Sequence, residues 1–257
     1  MAARETERDL RYRDGEPDPD GKDMLDLYLP EDRQRAPVVV FLHGGALRAG
    51  DKRESEHVAL ALVARGMAAV LPNYRLWPRV LYPAHVRDVA AAITWIHRHI
   101  AGYGLSRERL FVMGHSAGAY LAALLALDSR YLSAEGLTPA ILRGLVCISG
   151  HYHVERVRDD LRACGWADDP EIWAEASPPR HARADAPPLL FLFGAGEERS
   201  RYEHAHSIVS ALYRAGHRDS AAQEIPGREH MSIWQEFGTS GDPVIETVTD
   251  FIRSRLP

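Results

Sequence analysis

The run Leu110-Phe111-Val112-Met113-Gly114-His115-Ser116-Ala117-Gly118-Ala119-Tyr120-Leu121 carries the clearest chemical signal in the chain. Apolar residues lead into Gly-x-Ser-x-Gly, and an alanine-rich helical pattern follows. That order predicts a strand, a sharp turn and a helix, which together push a serine hydroxyl clear of a sheet. Gly114 and Gly118 have no side chain, so strand and helix can pass close to the serine. Ser116 therefore reads as a nucleophile. Alone the pattern is weak. Glycine at about 7% of average sequences yields a chance match in roughly one chain in ten of this length. A glycine-flanked serine in an ordinary turn becomes the poorer reading only when partners are found in the right order.

A serine needs a general base, and the same group can then protonate the leaving group. Most of the 13 histidines must be bystanders. His230 is singled out by position: it lies late in the chain, in the loop Ile225-Pro226-Gly227-Arg228-Glu229-His230-Met231 after a short strand, as the order serine, acid, histidine requires. The acid that orients it belongs between the two, after the strand Leu189 to Phe193. Glu197 in Gly194-Ala195-Gly196-Glu197-Glu198 is preferred, Glu198 is the runner-up, and Asp185, which precedes the strand, is a poorer candidate. Acyl transfer also builds charge on a carbonyl oxygen, which backbone N–H groups can hold. The donors expected here are Gly45 and Ala46 in His43-Gly44-Gly45-Ala46, with Gly44 as a further candidate, and Ala117 just after the nucleophile. His43 precedes Ser116 and is read as a structural histidine of this loop.

These groups need a frame. Apolar runs predict strands at Met24–Leu29, Pro37–Leu42, Met67–Leu71, Arg109–Met113, Ile141–Ile148, Pro188–Phe193 and Ala221–Ile225. Helical spacing marks Glu54–Arg65, Val86–Ile100, Ala117–Leu127, Tyr202–Tyr213 and Val244–Ile252. Alternating strands and helices argue for an α/β class: a mostly parallel sheet with helices on both faces. Such sheets bind ligands beyond the carboxyl ends of their strands, where every candidate above falls. Residues 150–186 break the alternation and are expected to form a small cap inserted into a single domain of residues 1–257.

With 257 residues and 46% hydrophobic composition the chain can bury a substantial core. A net charge of −5 gives no reason to expect nucleic acid or an anionic membrane as partner. Residues 1–23 are charge-dense without an apolar stretch, so no secretory signal is expected, and no run reaches the roughly 20 apolar residues of a membrane span. Cys147 reads as a small core residue, Cys164 as part of a polar region, and two thiols fit a reducing, cytoplasmic setting. Metal and cofactor are not expected. The pairs His97/His99 and His204/His206 sit on predicted helices, where a spacing of two points side chains apart, and His151/His153 lacks a third ligand at metal-like spacing. Asp88 is expected to support the start of its helix. Trp77, Tyr82, Trp166, Trp173 and Trp234 are expected in core or cap packing, with one or two lining a pocket.

The chain resembles the α/β-hydrolase superfamily over nearly its whole length. His43-Gly44-Gly45, Asn73-Tyr74-Arg75-Leu76, Pro83 with Asp88, Gly114 to Gly118 and Gly227 to Met231 carry the resemblance. Within the superfamily it is similar to small carboxylesterases related to hormone-sensitive lipase and to kynurenine formamidase. His43 through Lys52 is similar to that branch's loop after the third strand. Ala46 stands where many relatives have a third glycine, and Glu197 where aspartate is usual. The resemblance implies an α/β-hydrolase fold and cleavage of small carboxylic esters through an acyl-enzyme. Ser116 would attack, His230 would shuttle the proton, Glu197 would orient His230, and no cofactor would be needed. An arylformamidase acting on N-formylkynurenine-like amides would use the same machinery. A binding protein on the same fold, from a different functional class, would be expected to lack one of the three side chains. Oligomeric state is not legible.

Overall fold

The computed structural model describes residues 5–256. Its strands are β1 (Glu5–Arg11), β2 (Met24–Leu29), β3 (Val38–Leu42), β4 (Ala68–Pro72), β5 (Leu110–His115), β6 (Leu142–Ile148), β7 (Leu189–Gly194) and β8 (Ser220–Ile225). They form one sheet in the order β1-β2-β4-β3-β5-β6-β7-β8. β1 and β2 run antiparallel to their neighbours, and every pairing from β4 to β8 is parallel. The helices are α1 (Glu56–Ala64), α2 (Ala84–His99), α3 (Ala117–Leu127), α4 (Arg130–Ala134), α5 (Asp159–Gly165), α6 (Pro170–Glu175), α7 (Arg199–Arg214), α8 (Ser232–Gln235) and α9 (Pro243–Arg253).

The period-two rule explains how one sheet serves two cores. Val38, Val40 and Leu42 of β3 face one side and pack with the apolar residues of α2, α3 and α7. Val39 and Phe41 face the other side and pack with α1 and α9. Strands buried on both faces need continuous apolar runs, and β3, β4, β5 and β7 are buried at every position.

One strand is added to those expected, and one expectation is corrected. The first concerns the charge-dense N-terminus, which contains β1. Its sequence Glu-Thr-Glu-Arg-Asp-Leu-Arg hides the strand, because it is a half-exposed edge whose side chains are held by ion pairs and not by burial. Arg11 Nε donates to Asp23 Oδ2 at 2.9 Å, and Lys52 Nζ to Asp9 Oδ1 at 2.7 Å. Lys52 also pairs with Asp26, which accounts for a carboxylate inside the apolar strand β2. The second concerns Asp88, which does not cap α2. The helix begins at Ala84, and Asp88 is buried. Its carboxylate accepts from Arg75 N (3.0 Å), Nε (2.7 Å) and Nη2 (2.7 Å) and from Arg13 Nη1 (2.9 Å). The residue locks distant segments together, through contacts that local spacing does not reveal.

Cys147 and Cys164 are both free and both buried; Cys164 Sγ donates to the Asp160 carbonyl instead of sitting in a polar surface. Among the described residues, no helix is long and apolar enough to cross a membrane.

The sheet presents Ser116 only because α3 starts hard against β3. A Cβ on Gly118 would lie 2.0 Å from the Leu42 carbonyl oxygen, and one on Gly114 would lie 2.4 Å from the Gly118 carbonyl carbon. Both obstacles are backbone, so neither can yield cheaply. Gly118→Ala is expected to lower unfolding free energy by about 3 kcal/mol, read from urea denaturation, because overpacking here must shift a central strand. A loss within experimental error would mean that α3 and β3 are not in this contact.

Candidate active site

Ser116 sits between β5 and α3 with φ 54° and ψ −115°, a left-handed geometry that a serine adopts only under constraint. Its N–H donates to the Ile148 carbonyl at 2.8 Å, which ties the turn to the end of β6. Its Oγ lies 3.2 Å from His230 Nε2, and His230 Nδ1 lies 3.0 Å from Glu197 Oε2. Three side chains from the ends of β5, β7 and β8 thus meet in one hydrogen-bonded line.

Glu197 is fixed on its other oxygen. Oε1 accepts from Gly194 N–H at 2.7 Å and from the Ser149 hydroxyl. Burial alone would raise the pKa of Glu197, but the hydrogen bonds from His230, Ser149 and Gly194 outweigh it and hold the carboxyl below its ordinary value. Its side chain is 1% exposed. Glu198 is exposed, and among the described residues its carboxylate accepts only from the hydroxyl of Ser200. Asp185 is exposed and paired with Arg183.

The loop that carries His230 is held from two sides. Gly196 N–H donates to the Arg228 carbonyl at 2.9 Å. His115 Nε2–H donates to the His230 carbonyl at 2.8 Å. Burial above all, then the neighbouring His230, brings the His115 pKa down to about 3, so it stays a neutral donor. His43 serves the facing loop. Its Nδ1–H donates to the Gly44 carbonyl at 2.7 Å, its ring stacks on Tyr74 at 4.3 Å, and the Tyr74 hydroxyl donates to its carbonyl at 2.8 Å.

The same loop follows a left-handed path at Gly45 (φ 111°), Ala46 (φ 54°) and Leu47 (φ 61°). The N–H groups of Gly45, Ala46 and Ala117 donate to no protein acceptor among the described residues. Gly44 packs against Ser116, with room for a Cβ only 3.3 Å from the Ser116 Cβ. Ala46, Ala117 and Ser116 border a cavity of about 60 Å³, which Tyr120, Trp166 and Arg201 also line. Val157, Leu161 and Trp166 reach it from residues 150–186, and Trp166 Nε1 donates to the Tyr120 hydroxyl at 3.0 Å.

A hydroxyl on a base, a base on a buried carboxylate and free amides beside the hydroxyl are the groups that acyl transfer requires. A model of the prolyl oligopeptidase family matches residues 83–256, which include Ser116, Glu197 and His230. The chain belongs to the prolyl oligopeptidase family.

A second family model, BD-FAE, matches residues 25–140 of this prolyl oligopeptidase family member. Its sequence is 28% identical over 211 residues to the probable carboxylic ester hydrolase LipM of Mycobacterium tuberculosis, covering 76% of this chain and 49% of that one. It is 28% identical to esterase LipQ of the same organism, covering 91% of this chain and 60% of that one. A kynurenine formamidase of Salmo salar is 33% identical over 134 residues, covering 51% and 42% of the two chains. The family member therefore spans about half to three-fifths of the length of the first two relatives. Esterase B of Lactobacillus rhamnosis superposes with a TM-score of 0.81 at 21% identity, covering 98% of this chain and 84% of that one. The fold is that of the α/β-hydrolases, as the resemblance implies.

The family member also places residues at the site that its sequence pattern did not single out. Ser149 is the second anchor of Glu197, and it follows β6 with φ 54°. Of the histidine pairs set aside as metal ligands, His204 packs with His151 and His153, its Nδ1 accepting from the Tyr152 and His153 amides at 2.9 and 3.2 Å. Only the position of Ser149 just past a strand end could have flagged it.

Glu197→Ala is expected to lower kcat by about 10³–10⁴-fold, while Glu198→Ala stays within about twofold. The reverse ranking would mean that the orienting acid is misassigned. A second expectation concerns acid. Burial lowers His43 and His85 to about 4 and His115 to about 3, against about 6.5 in the unfolded chain. Below pH 6.5 the unfolded state binds protons that the native state refuses, so stability is lost as pH falls from 6.5 toward 4. Urea midpoints should fall steeply between pH 7 and pH 4.5; a flat profile would contradict the burial of these rings.

Proposed function

We propose that the protein is a serine hydrolase that cleaves small carboxylic esters through an acyl-enzyme. Ser116 attacks the carbonyl carbon while His230 Nε2 takes its proton. Glu197 holds His230 in the tautomer that can accept there, and stabilises the imidazolium that forms. The N–H groups of Ala117, Ala46 and Gly45, with Gly44 packed beside them, hold the developing oxyanion. His230 protonates the departing alkoxide, water enters, and the second half retraces the first. No cofactor takes part.

The observation that carries this reading is the unbroken line from Ser116 through His230 to Glu197, at 3.2 and 3.0 Å. A binding protein would have no need of that line, or of a carboxylate kept ionised by three hydrogen bonds. Residues 150–186 act as a small cap over the strand ends of a single domain, since Val157, Leu161 and Trp166 close the cavity beside Ser116. Its volume of about 60 Å³ suits short acyl groups better than lipid chains. The mycobacterial relatives are named a probable carboxylic ester hydrolase and an esterase, which supports this reading. We place the protein in the cytoplasm, with a small ester as its partner and neither nucleic acid nor membrane.

The Salmo salar kynurenine formamidase supports a second reading, hydrolysis of an N-formylkynurenine-like amide. The same side chains serve, with His230 protonating a nitrogen leaving group.

Ser116→Ala should lose at least about 10⁴-fold in kcat on 4-nitrophenyl acetate and lose labelling by a fluorophosphonate, while its circular dichroism stays native. Turnover that survives this substitution would refute the reading. Higher kcat/KM on N-formylkynurenine than on 4-nitrophenyl acetate would select the formamidase.

A further inference from the structure

Most of the cavity beside Ser116 is apolar: Leu47, Val157, Leu161 and Trp166 border it. Arg201 breaks this pattern. It stands in the first turn of α7, four residues after Glu197, with 13% of its side chain exposed. A guanidinium offers five N–H donors in a rigid fork and stays protonated in proteins. Here Nη1 donates to the Ser149 carbonyl at 2.6 Å, and Nε lies 3.7 Å from Glu197 Oε2, beyond hydrogen-bond reach. Nη2 makes no hydrogen bond among the described residues.

Glu197 forms an ion pair with Arg201 but no hydrogen bond to it. Its carboxylate already accepts from His230, Ser149 and Gly194. The opposing charge that it supplies is also the one that an imidazolium at His230 would call on. His151 shares the cavity lining, and its Nδ1 is buried with no hydrogen-bond partner among the described residues. Burial first, then the charge of Arg201, lowers the His151 pKa to about 2, so this ring is neutral. A cation with spare donors and the ring of a neutral imidazole thus border one small apolar cavity. Burying such groups is costly unless something pairs with them. A purely structural tie to the Ser149 carbonyl would use one donor and would need no charge.

We infer that Arg201, assisted by His151, is a specificity determinant that selects esters bearing a carboxylate in the half of the molecule that enters this cavity. Half-esters of short dicarboxylic acids, or esters of hydroxy acids, carry that group within a few bonds of the scissile carbonyl. A planar carboxylate matches the fork of the guanidinium, and the surrounding apolar wall strengthens the pairing. The inference rests on the serine-hydrolase reading above and adds the charge class of its substrate.

The test compares kcat/KM for two matched pairs on the full chain. Mono-4-nitrophenyl succinate against 4-nitrophenyl butyrate places the charge in the acyl half. 4-Acetoxybenzoate against its methyl ester places it in the alcohol half. Wild type should hydrolyse the anion at least as well as the neutral partner in one pair, and that pair identifies the half. In Arg201→Met the anion-to-neutral ratio for that pair should fall about tenfold or more, mainly through KM, and Arg201→Lys should recover part of it. A structural role would lower both members together and leave the ratio alone, which would overturn the inference. So would wild-type discrimination of about tenfold or more against both anions, a result that needs no variant to fold. Absence of turnover on all four esters would instead refute the hydrolase reading on which this one stands.

Discussion

The structure depends on one close approach of backbone to backbone. Helix α3 starts within van der Waals contact of the Leu42 carbonyl, and only a hydrogen at position 118 permits it. This contact bends the chain so sharply after β5 that Ser116 takes φ 54°. The strain is offset by two well-packed cores, one on each face of the sheet, and by the Ser116 N–H bond to Ile148. Placing the serine there also fixes what can surround it. The ends of β3, β6, β7 and β8 all open on the same edge, and their loops bring the free amides to the cavity beside Ser116 and link Ser149, Glu197 and His230 by hydrogen bonds.

The electrostatics at this edge follow from burial. Glu197 is almost wholly enclosed, which disfavours its charge, yet three donors reverse the balance. His115 is enclosed too, but there burial and the neighbouring His230 prevail and keep it neutral, which suits a group whose task is to donate to the His230 carbonyl. One ring supports the loop, and the other faces the Ser116 hydroxyl. Arg201 extends the same logic from mechanism to selection, since a cation left with open donors in an apolar wall favours a partner of opposite charge.

Much of this was legible in the sequence, for physical reasons. Strands buried on both faces must be apolar throughout, so Val38–Leu42 and Leu189–Gly194 announce themselves. The elbow is legible because its geometry admits glycine at two fixed positions. His230 and Glu197 could be named because chain order and strand ends leave few alternatives. What stayed hidden is held by long-range polar contacts. β1 is stabilised by Asp23 and Lys52 and not by its own pattern. Asp88 looked like helix support, yet its partners are Arg75 and Arg13, the latter 75 positions away. Arg201 carries no local signature, and Ser149 only its place just past β6, because their meaning exists only once the start of α7 meets the end of β6.

The central claim is that Ser116 Oγ becomes covalently acylated and that His230 and Glu197 exist to make this possible. The most direct measurement is mass spectrometry of the protein acid-quenched during turnover of 4-nitrophenyl acetate, followed by peptide mapping. The account predicts an acetyl group on the peptide that contains Ser116, lost on incubation at neutral pH. Efficient turnover with no acyl group at Ser116, or with the acyl group on another side chain, would contradict it.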